Sequence, residues 1–356
     1  MPRGSTISRA GLLAVALACD CLLAQAAKPE RVIATWFGIT NHFYQVGDIS
    51  FMQDGAVSGL GGDLSPDASV ALVWRALAAG GATAPEAIFV GHDHGDHSQD
   101  VVRWAQTFPE ATVYGPMSMC AKLIEVGLGA RCEGWRPDNT DGTTVIRLGE
   151  YVEIRPFRWL HSSHNLCVER DRPDTPTFAY LISVDASDGR INILSHDSGT
   201  SVGLTHEIVD DAGVWTAPFE SLTNAMKNAD VERLDLWQGG SENRLLRQAR
   251  LVVPLARPVA FQPQHWADRD HVLSEGIGWN YFPGRSFEAY LSDHDVAMLV
   301  QDNFFAGVEV RPGEIRVHST AETRAVMGLP SSGPGPREVV SHPRLADLPS
   351  GECPGD

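Results

Sequence analysis

The stretch "FVGHDHGDHSQD", residues 89–100, decides how the rest of the chain is interpreted. Three histidines and two aspartates lie within six positions, directly after an apolar run. His92 and His94 are two residues apart and can both reach one metal ion, and Asp96 and His97 can face a second ion from the next turn. Neutral imidazoles and carboxylates are the usual protein ligands for divalent metals, so this stretch predicts a metal site.

Strand and helix patterns alternate on both sides of this stretch. Before it, the pattern predicts a strand at 31–38, a hairpin over 42–55 and a helix from Ser65 to Gly80. The strand 86–92 leads into the histidines, and a helix is expected to begin near Ser98. Further strands are predicted at 111–116, 143–148, 151–160, 177–184, 191–197, 233–238, 258–262, 307–312 and 314–319, and helices at 219–229, 244–250 and 287–304. This mixture predicts one α/β domain with layered sheets.

Composition limits the class of function. The chain has 356 residues, of which 43% are hydrophobic and 21% charged, as in a globular protein with a sizeable core. Its formal net charge of -17 argues against a nucleic-acid-binding groove, which needs Lys and Arg to neutralise phosphates. The expected partner is a small-molecule substrate.

The N-terminus, residues 1–26, reads as a targeting segment. Two arginines precede an apolar run at 10–18, which is too short to span a bilayer. Ala24-Gln25-Ala26 suits signal-peptide cleavage before Ala27, whereas Ala16-Leu17-Ala18-Cys19 resembles a lipoprotein box that would make Cys19 a lipid anchor. Both alternatives predict an exported protein, periplasmic or extracellular, and no later segment predicts a transmembrane span.

The mature chain divides into a long domain and a short tail. Residues 27–328 are expected to form the single domain, and the Pro- and Gly-rich residues 329–356 a disordered tail. Export permits disulfides, and Cys120 with Cys132 is the favoured pair by proximity.

The pattern His-x-His-x-Asp-His at 92–97 resembles that of the metallo-β-lactamase superfamily. The resemblance implies a four-layer αββα sandwich with a one- or two-metal site at the strand ends. It also implies three further ligands: a third histidine for the first metal, a carboxylate that bridges both metals, and a last histidine for the second metal.

The chain offers a candidate for each of these ligands, in the expected order. His161 follows the strand 151–160 and is the favoured third histidine, with His164 as the alternative. Asp197 ends the strand 191–197 and matches the bridging carboxylate. His196 stands where the family usually has Gly. It is expected to be a packed or exposed histidine, with a position that points into the site as the alternative. The last ligand is expected to be His265, after the strand 258–262.

The form Pro-x-His-Trp around His265 is similar to the branch that contains the ascorbate-phosphate lactonase and the N-acyl phosphatidylethanolamine phospholipase D. "TWFG" at 35–38 also resembles that branch, although Ile39 stands where a histidine often follows. Asp54 matches the family's early aspartate, which supports the metal ligands. His42 is expected to be a half-buried strand residue or to lie at the rim of the site.

The resemblance implies a binuclear metal-dependent hydrolase. Two divalent ions, Zn²⁺ by preference and Mn²⁺ or Fe²⁺ as alternatives, would supply a bridging hydroxide at neutral pH. Asp96 and Asp197 are the expected catalytic carboxylates, which balance the metal charge and accept a proton. The substrate expected from the branch is a lactone or a phosphodiester. The alternatives are an exported metallo-β-lactamase-type amidase and a non-catalytic metal-binding scaffold.

Four aromatic residues are candidates for a substrate pocket or a lid, with plain core packing as the alternative. Trp159 and Trp266 flank proposed ligands, and Trp279 and Tyr281 lie in a Gly-rich insertion.

Overall fold

Two large β-sheets form the centre of the molecule. The computed structural model describes residues 27–58, 63–161, 175–197, 203–240, 245–264, 285–299, 304–319 and 321–328. Its strands are β1 Val32–Trp36, β2 His42–Val46, β3 Ile49–Gln53, β4 Ala87–Phe89, β5 Thr112–Gly115, β6 Cys132–Gly134, β7 Ile146–Leu148, β8 Val152–Trp159, β9 Thr177–Ala186, β10 Gly189–His196, β11 Ile208–Asp210, β12 Gly213–Trp215, β13 Leu236–Gly239, β14 Ala260–Pro263, β15 Ala297–Met298, β16 Ala306–Arg311 and β17 Glu314–Ser319.

Each sheet combines antiparallel and parallel strands. Within the described ranges, the first sheet has the order β17-β16-β1-β2-β3-β4-β5-β6, and the second has the order β15-β14-β13-β10-β9-β8-β7. Strands β3 to β6 run parallel to one another, as do β10, β13, β14 and β15. Strands β11 and β12 form a separate hairpin. The parallel strands matter for function because their carboxyl ends meet at common edges.

Helices cover the outer faces of both sheets. They are α1 Pro66–Ala79, α2 Gly95–Ser98, α3 Val101–Thr107, α4 Met117–Glu125, α5 Pro218–Asn228, α6 Leu245–Ala256, α7 Arg285–Asp293 and α8 Ala321–Val326. One buried apolar cluster joins the first sheet to α1, α3 and α4, and a larger one fills the space between the sheets and reaches α5, α6 and α7. The order of layers is therefore helix, sheet, sheet, helix: a single-domain αββα sandwich, as the sequence predicts.

Local chemistry explains the elements that sequence reasoning placed correctly. The Ser65 hydroxyl accepts a hydrogen bond from the Ala68 backbone N–H at 3.3 Å and caps the N-terminus of α1. The helix begins at Pro66, and Gly80 is its C-cap. Gly47 takes a φ of 62°, as the predicted hairpin turn between β2 and β3 requires.

The prediction of one helix over 287–304 is wrong in its second half. Helix α7 ends at Asp293, and the following residues form β15 at the edge of the second sheet. Asp295 takes a φ of 56°, and its N–H donates to the Ser292 carbonyl while that of Val296 donates to Leu291. This is the Schellman arrangement, in which one left-handed residue ends a helix although the apolar spacing continues beyond it.

Four further features can be compared with the predictions. The helix expected near Ser98 begins earlier, because α2 already starts at Gly95 and α3 follows it. Helix α4 and the hairpin β11–β12 were not predicted. The expected disulfide between Cys120 and Cys132 is present and joins α4 to β6. In the described part of the chain, all helices are too short or too polar to cross a lipid bilayer.

Candidate metal centre

The side chains of the candidate site lie at the ends of four strands. Strands β3 and β4 are parallel, and at their carboxyl ends stand Asp54 and the loop that carries His92. Strands β8 and β10 both pair antiparallel with β9, so they also share a direction, and they lead into His161 and Asp197. Residues from both sheets therefore converge at one edge of the sandwich.

The first set of ligand-type side chains is the histidine group, which consists of His92, His94 and His161. One ring nitrogen of each lies within 4.8 Å of the others. The ring centroids are 4.6 Å apart for His92 and His94, 4.6 Å for His92 and His161, and 4.7 Å for His94 and His161. His92 and His161 are buried and His94 is half-buried. Three converging imidazoles are a donor set that suits Zn²⁺ and related ions.

The second set is the carboxylate group, which consists of His92, His97 and Asp197, all buried. Asp197 Oδ2 lies 2.5 Å from His92 Nδ1 and 3.6 Å from His97 Nδ1. His92 belongs to both groups, so the two sets adjoin, and the Asp197 carboxylate lies against His92.

Gly91 makes this position of Asp197 possible. A Cβ atom at residue 91 would lie 2.2 Å from Asp197 Oδ2, far inside van der Waals contact. Any side chain at Gly91 would therefore displace the carboxylate from the histidines.

Asp54 supports the carboxylate group through its contacts with His97 and Gly91. Its Oδ2 lies 2.9 Å from His97 Nδ1, and its Oδ1 accepts the Gly91 N–H at 2.8 Å. The Thr40 hydroxyl donates to Asp54 Oδ2 and lies 2.7 Å from His97 Nδ1. A partner at Nδ1 leaves Nε2 of the His97 ring for a metal, which is how carboxylates commonly orient metal-binding histidines. Asp54 holds a φ of 56°, so its backbone adopts a left-handed conformation to reach this position.

Negative charge accumulates around His97. Burial by itself would lower the pKa of His97, but the carboxylates of Asp54, Asp96 and Asp197 outweigh it and raise that pKa to about 9. Burial raises the pKa of Asp54, and the nearby Asp197 adds to the effect. Buried carboxylates beside imidazole nitrogens are an environment that a divalent cation would neutralise, so the donor set fits a metal.

The remaining predicted ligands are placed less closely or lie outside the described residues. Asp96 is part-exposed, and its Oδ2 lies 3.6 Å from His97 Nε2, beside the carboxylate group. His265 and the alternative ligand His164 lie outside the described residues, as do Trp266, Trp279 and Tyr281.

Of its expected positions, His196 takes the packed one. It is fully buried, stacks on Trp159 with ring centroids 4.9 Å apart, and accepts the Trp237 indole N–H at Nε2, at 2.8 Å. A Cβ atom at Gly239 would lie 2.9 Å from the His196 ring, so the glycine in the neighbouring strand leaves room for that ring. Trp159 is likewise a fully buried core residue.

His42 is fully buried, whereas the sequence predicted a half-buried strand residue or a place at the rim. Its Nδ1 lies 3.0 Å from the Thr40 carbonyl oxygen. Burial lowers the pKa of His42 to about 4, more than that hydrogen bond raises it, so the ring is neutral at physiological pH.

A buried polar network that sequence reasoning missed lies between the two sheets. The Ser195 hydroxyl donates to Gln53 Oε1 at 2.5 Å and accepts from Gln264 Nε2 at 3.1 Å. The Tyr44 hydroxyl donates to Gln238 Oε1 at 2.6 Å. Ser195, Gln53 and Gln264 precede Asp197, Asp54 and His265 by one or two positions, so the network ties together the strand ends that carry the site.

Comparisons with known proteins find structures of similar fold at low sequence identity. No protein-family model and no curated protein matches the chain. Among solved structures, the metallo-β-lactamase fold protein YhfI from Bacillus subtilis is 13% identical with a TM-score of 0.45, over 81% of this chain and 100% of that chain. Igni18, a metallo hydrolase from the archaeon Ignicoccus hospitalis, is 13% identical with a TM-score of 0.45, over 82% and 99%.

A third structure of similar score is a longer protein. CmlA, a diiron β-hydroxylase from Streptomyces venezuelae, is 12% identical with a TM-score of 0.48, over 82% of this chain and 55% of that chain. At such identities, the chemistry of this chain has to be argued from its own side chains.

Proposed function

We propose that this protein is an exported, binuclear metal-dependent hydrolase that cleaves a lactone or a phosphodiester bond. The observation that carries the proposal is the adjacency of the histidine group and the carboxylate group through His92. His92, His94 and His161 would hold one ion. Asp96, His97 and Asp197, together with His265, would hold the other. Zn²⁺ is the preferred ion for this mixture of imidazoles and carboxylates.

The chain's own residues divide the work between binding and positioning. Two divalent metals in such a site would supply hydroxide at neutral pH and polarise the bond to be cleaved. Asp197 would balance positive charge from both sides. Asp54 would fix the orientation of the His97 ring through its contact with Nδ1. Asp96 is the most exposed of these carboxylates, and we assign it the role of a proton acceptor.

Hydrolysis by the purified full chain tests the proposal. Bis-p-nitrophenyl phosphate reports phosphodiester cleavage, and γ-lactones with a pH indicator report ring opening. We expect one of the two reactions, its loss on treatment with a chelator, and its return on addition of Zn²⁺. Metal binding without turnover of either substrate would instead favour the scaffold alternative.

Export is supported by the N-terminal sequence and by the disulfide between Cys120 and Cys132, a bond typical of oxidising compartments. Mass spectrometry of the mature N-terminus in a bacterial host distinguishes the two processing alternatives. Cleavage before Ala27 would leave an unmodified N-terminus, whereas a lipoprotein would begin with an acylated Cys19. Retention of an unprocessed residue 1 in the cytosol would contradict export.

A further inference from the structure

A second feature of the same edge of the sandwich is an apolar cavity of about 570 Å³. Pro116 and Met117, which follow β5, form part of its wall, and Pro176 and Phe178 at the start of β9 form another part. Strand β5 is parallel to β4, whose carboxyl end leads to His92, so both strands end at one edge. Strand β9 begins opposite the end of β8, where Trp159 pairs with Thr177. The cavity therefore lies at the same edge of the sandwich as the candidate metal centre.

One hydrogen bond joins the cavity wall directly to the loop of the histidine group, and an ion pair joins helix α4 to the same loop. The backbone N–H of Phe178 donates to the Gly91 carbonyl at 2.8 Å, one residue before His92. Lys122 of α4 pairs with Asp93 at 2.5 Å, between His92 and His94 in sequence. The wall of the cavity is thus connected to the loop that carries His92 and His94.

The walls are aromatic and firmly held. Trp135, Phe178 and Trp215 are buried to 3% exposure or less. Behind them, the buried guanidinium of Arg158 lies 5.6 Å from the Phe178 ring centroid and 5.4 Å from that of Trp215. It donates to the backbone carbonyls of Trp159 and Thr177. The positive charge of Arg158 therefore stabilises the positions of the two aromatic rings in the wall.

The side chains at the rim of the cavity are apolar and exposed, and the charged residues beside them are acidic. Met117 is 46% exposed and Val209 of the hairpin β11–β12 is 68% exposed, although both line the cavity. Asp210 and Asp211 also line it, and the described lining residues include no Lys or Arg. Exposed apolar side chains around an aromatic hollow favour an apolar ligand, and the two aspartates disfavour an anionic one.

We propose that this cavity binds an uncharged hydrocarbon group, alkyl or aryl, of the molecule cleaved at the metal centre. The inference rests on the proposed function and narrows its substrate class. The substrate would be an ester, lactone or phosphodiester with an apolar substituent beside the scissile bond. A volume of this size suits a substituent of roughly drug-fragment size.

Direct binding tests the cavity without depending on turnover. The full chain, with and without bound Zn²⁺, is titrated with the neutral fluorescent probe N-phenyl-1-naphthylamine. We expect saturable binding that Val209→Asp weakens by about tenfold or more, because an ionised carboxylate beside an apolar ligand must lose water. Val317→Asp is the matched control, since Val317 is an equally typical strand valine, 52% exposed, on β17.

A second pair guards against a variant that fails to fold. Met117→Asp should weaken the probe in the same way, and Ile124→Asp, on the same helix α4 and 64% exposed, should not. Equal probe affinity in Val209→Asp and Val317→Asp, with both proteins folded, would overturn the inference.

Turnover separates this inference from the proposed function. In the wild type, γ-decalactone should have a lower KM than γ-butyrolactone, and Val209→Asp should remove that difference while changing kcat little. Hydrolysis without probe binding would contradict the cavity assignment alone. Probe binding that Val209→Asp weakens, in a chain that hydrolyses neither lactones nor phosphodiesters, would contradict the proposed function alone.

Discussion

The histidine group and the carboxylate group share His92 but are held in different ways. The histidine group consists of imidazoles packed against one another at strand and loop ends, with His94 half-buried. The carboxylate group is buried, and Asp54, Thr40 and the Gly91 backbone support it through hydrogen bonds. The two groups therefore differ in burial, and the carboxylate group depends on hydrogen bonds from residues outside it as well as on its own members.

The largest effect is expected from Asp197→Asn, which removes the negative charge beside His92, the residue that both groups share. The variant should bind about one ion per chain and lose about 10³-fold or more in kcat/KM, because several kcal/mol of charge stabilisation disappear. Elemental analysis and steady-state kinetics measure the two quantities. Two tightly bound ions in Asp197→Asn would contradict the bridging position.

A comparable loss is expected from His161→Ala, which breaks the histidine group alone. Metal affinity at that group should fall by two or more orders of magnitude, since one of three protein ligands is missing. His164→Ala is the paired variant and should retain most of the metal. Equal metal loss in both variants would reassign the third histidine.

A smaller effect is expected from Asp54→Asn, which weakens the support of the carboxylate group. Metal affinity or activity should fall by about 10- to 100-fold, as is usual when the partner of a metal-binding histidine is changed. Asp100→Asn is the matched control: Asp100 is also buried, but it accepts from the Val57 and Ser58 N–H groups.

The control should separate support of the metal site from support of the fold. Asp100→Asn should lower the free energy of unfolding by about 1–3 kcal/mol and leave metal affinity close to wild type. A drop in metal affinity as large as that of Asp54→Asn would mean that any buried aspartate nearby has the same effect.

The smallest effect is expected from Ser195→Ala, which removes the hydroxyl that links Gln53 and Gln264 in the buried polar network. Metal affinity should fall by less than about tenfold, because Ser195 acts at one remove from the ligands. Ser183→Ala removes a similar buried hydrogen bond, to Asn192 Oδ1 at 3.0 Å, farther along the same sheet. Both variants should lose about 1 kcal/mol of stability, and only Ser195→Ala should change metal affinity, as isothermal titration would show.

Much of the fold and the part of the site at residues 89–100 could be predicted because the sequence patterns that indicate them are local. A capping serine, a glycine turn and a run of histidines after a strand each act within a few residues. Asp197 and His161 were placed by a family resemblance, and the structure brings both to the histidines of the 89–100 loop.

The features that were missed depend on contacts between residues distant in sequence. Gln53, Gln238 and Gln264 look like ordinary strand residues until three strands meet. The position of His196 depends on the absence of a side chain at Gly239. The end of α7 was misplaced because a left-handed Asp295 overrides an apolar spacing that continues past it. The hairpin β11–β12, which lines the cavity, has too few residues for a strong pattern.

The metal content of the purified full chain tests the central claim most directly. Elemental analysis would be made on the protein as isolated, and again after chelation and reconstitution with Zn²⁺. The adjoining ligand groups predict about two ions per chain in the reconstituted protein. A content near zero that added metal does not restore would contradict a metal centre at His92, His94, His97, His161 and Asp197.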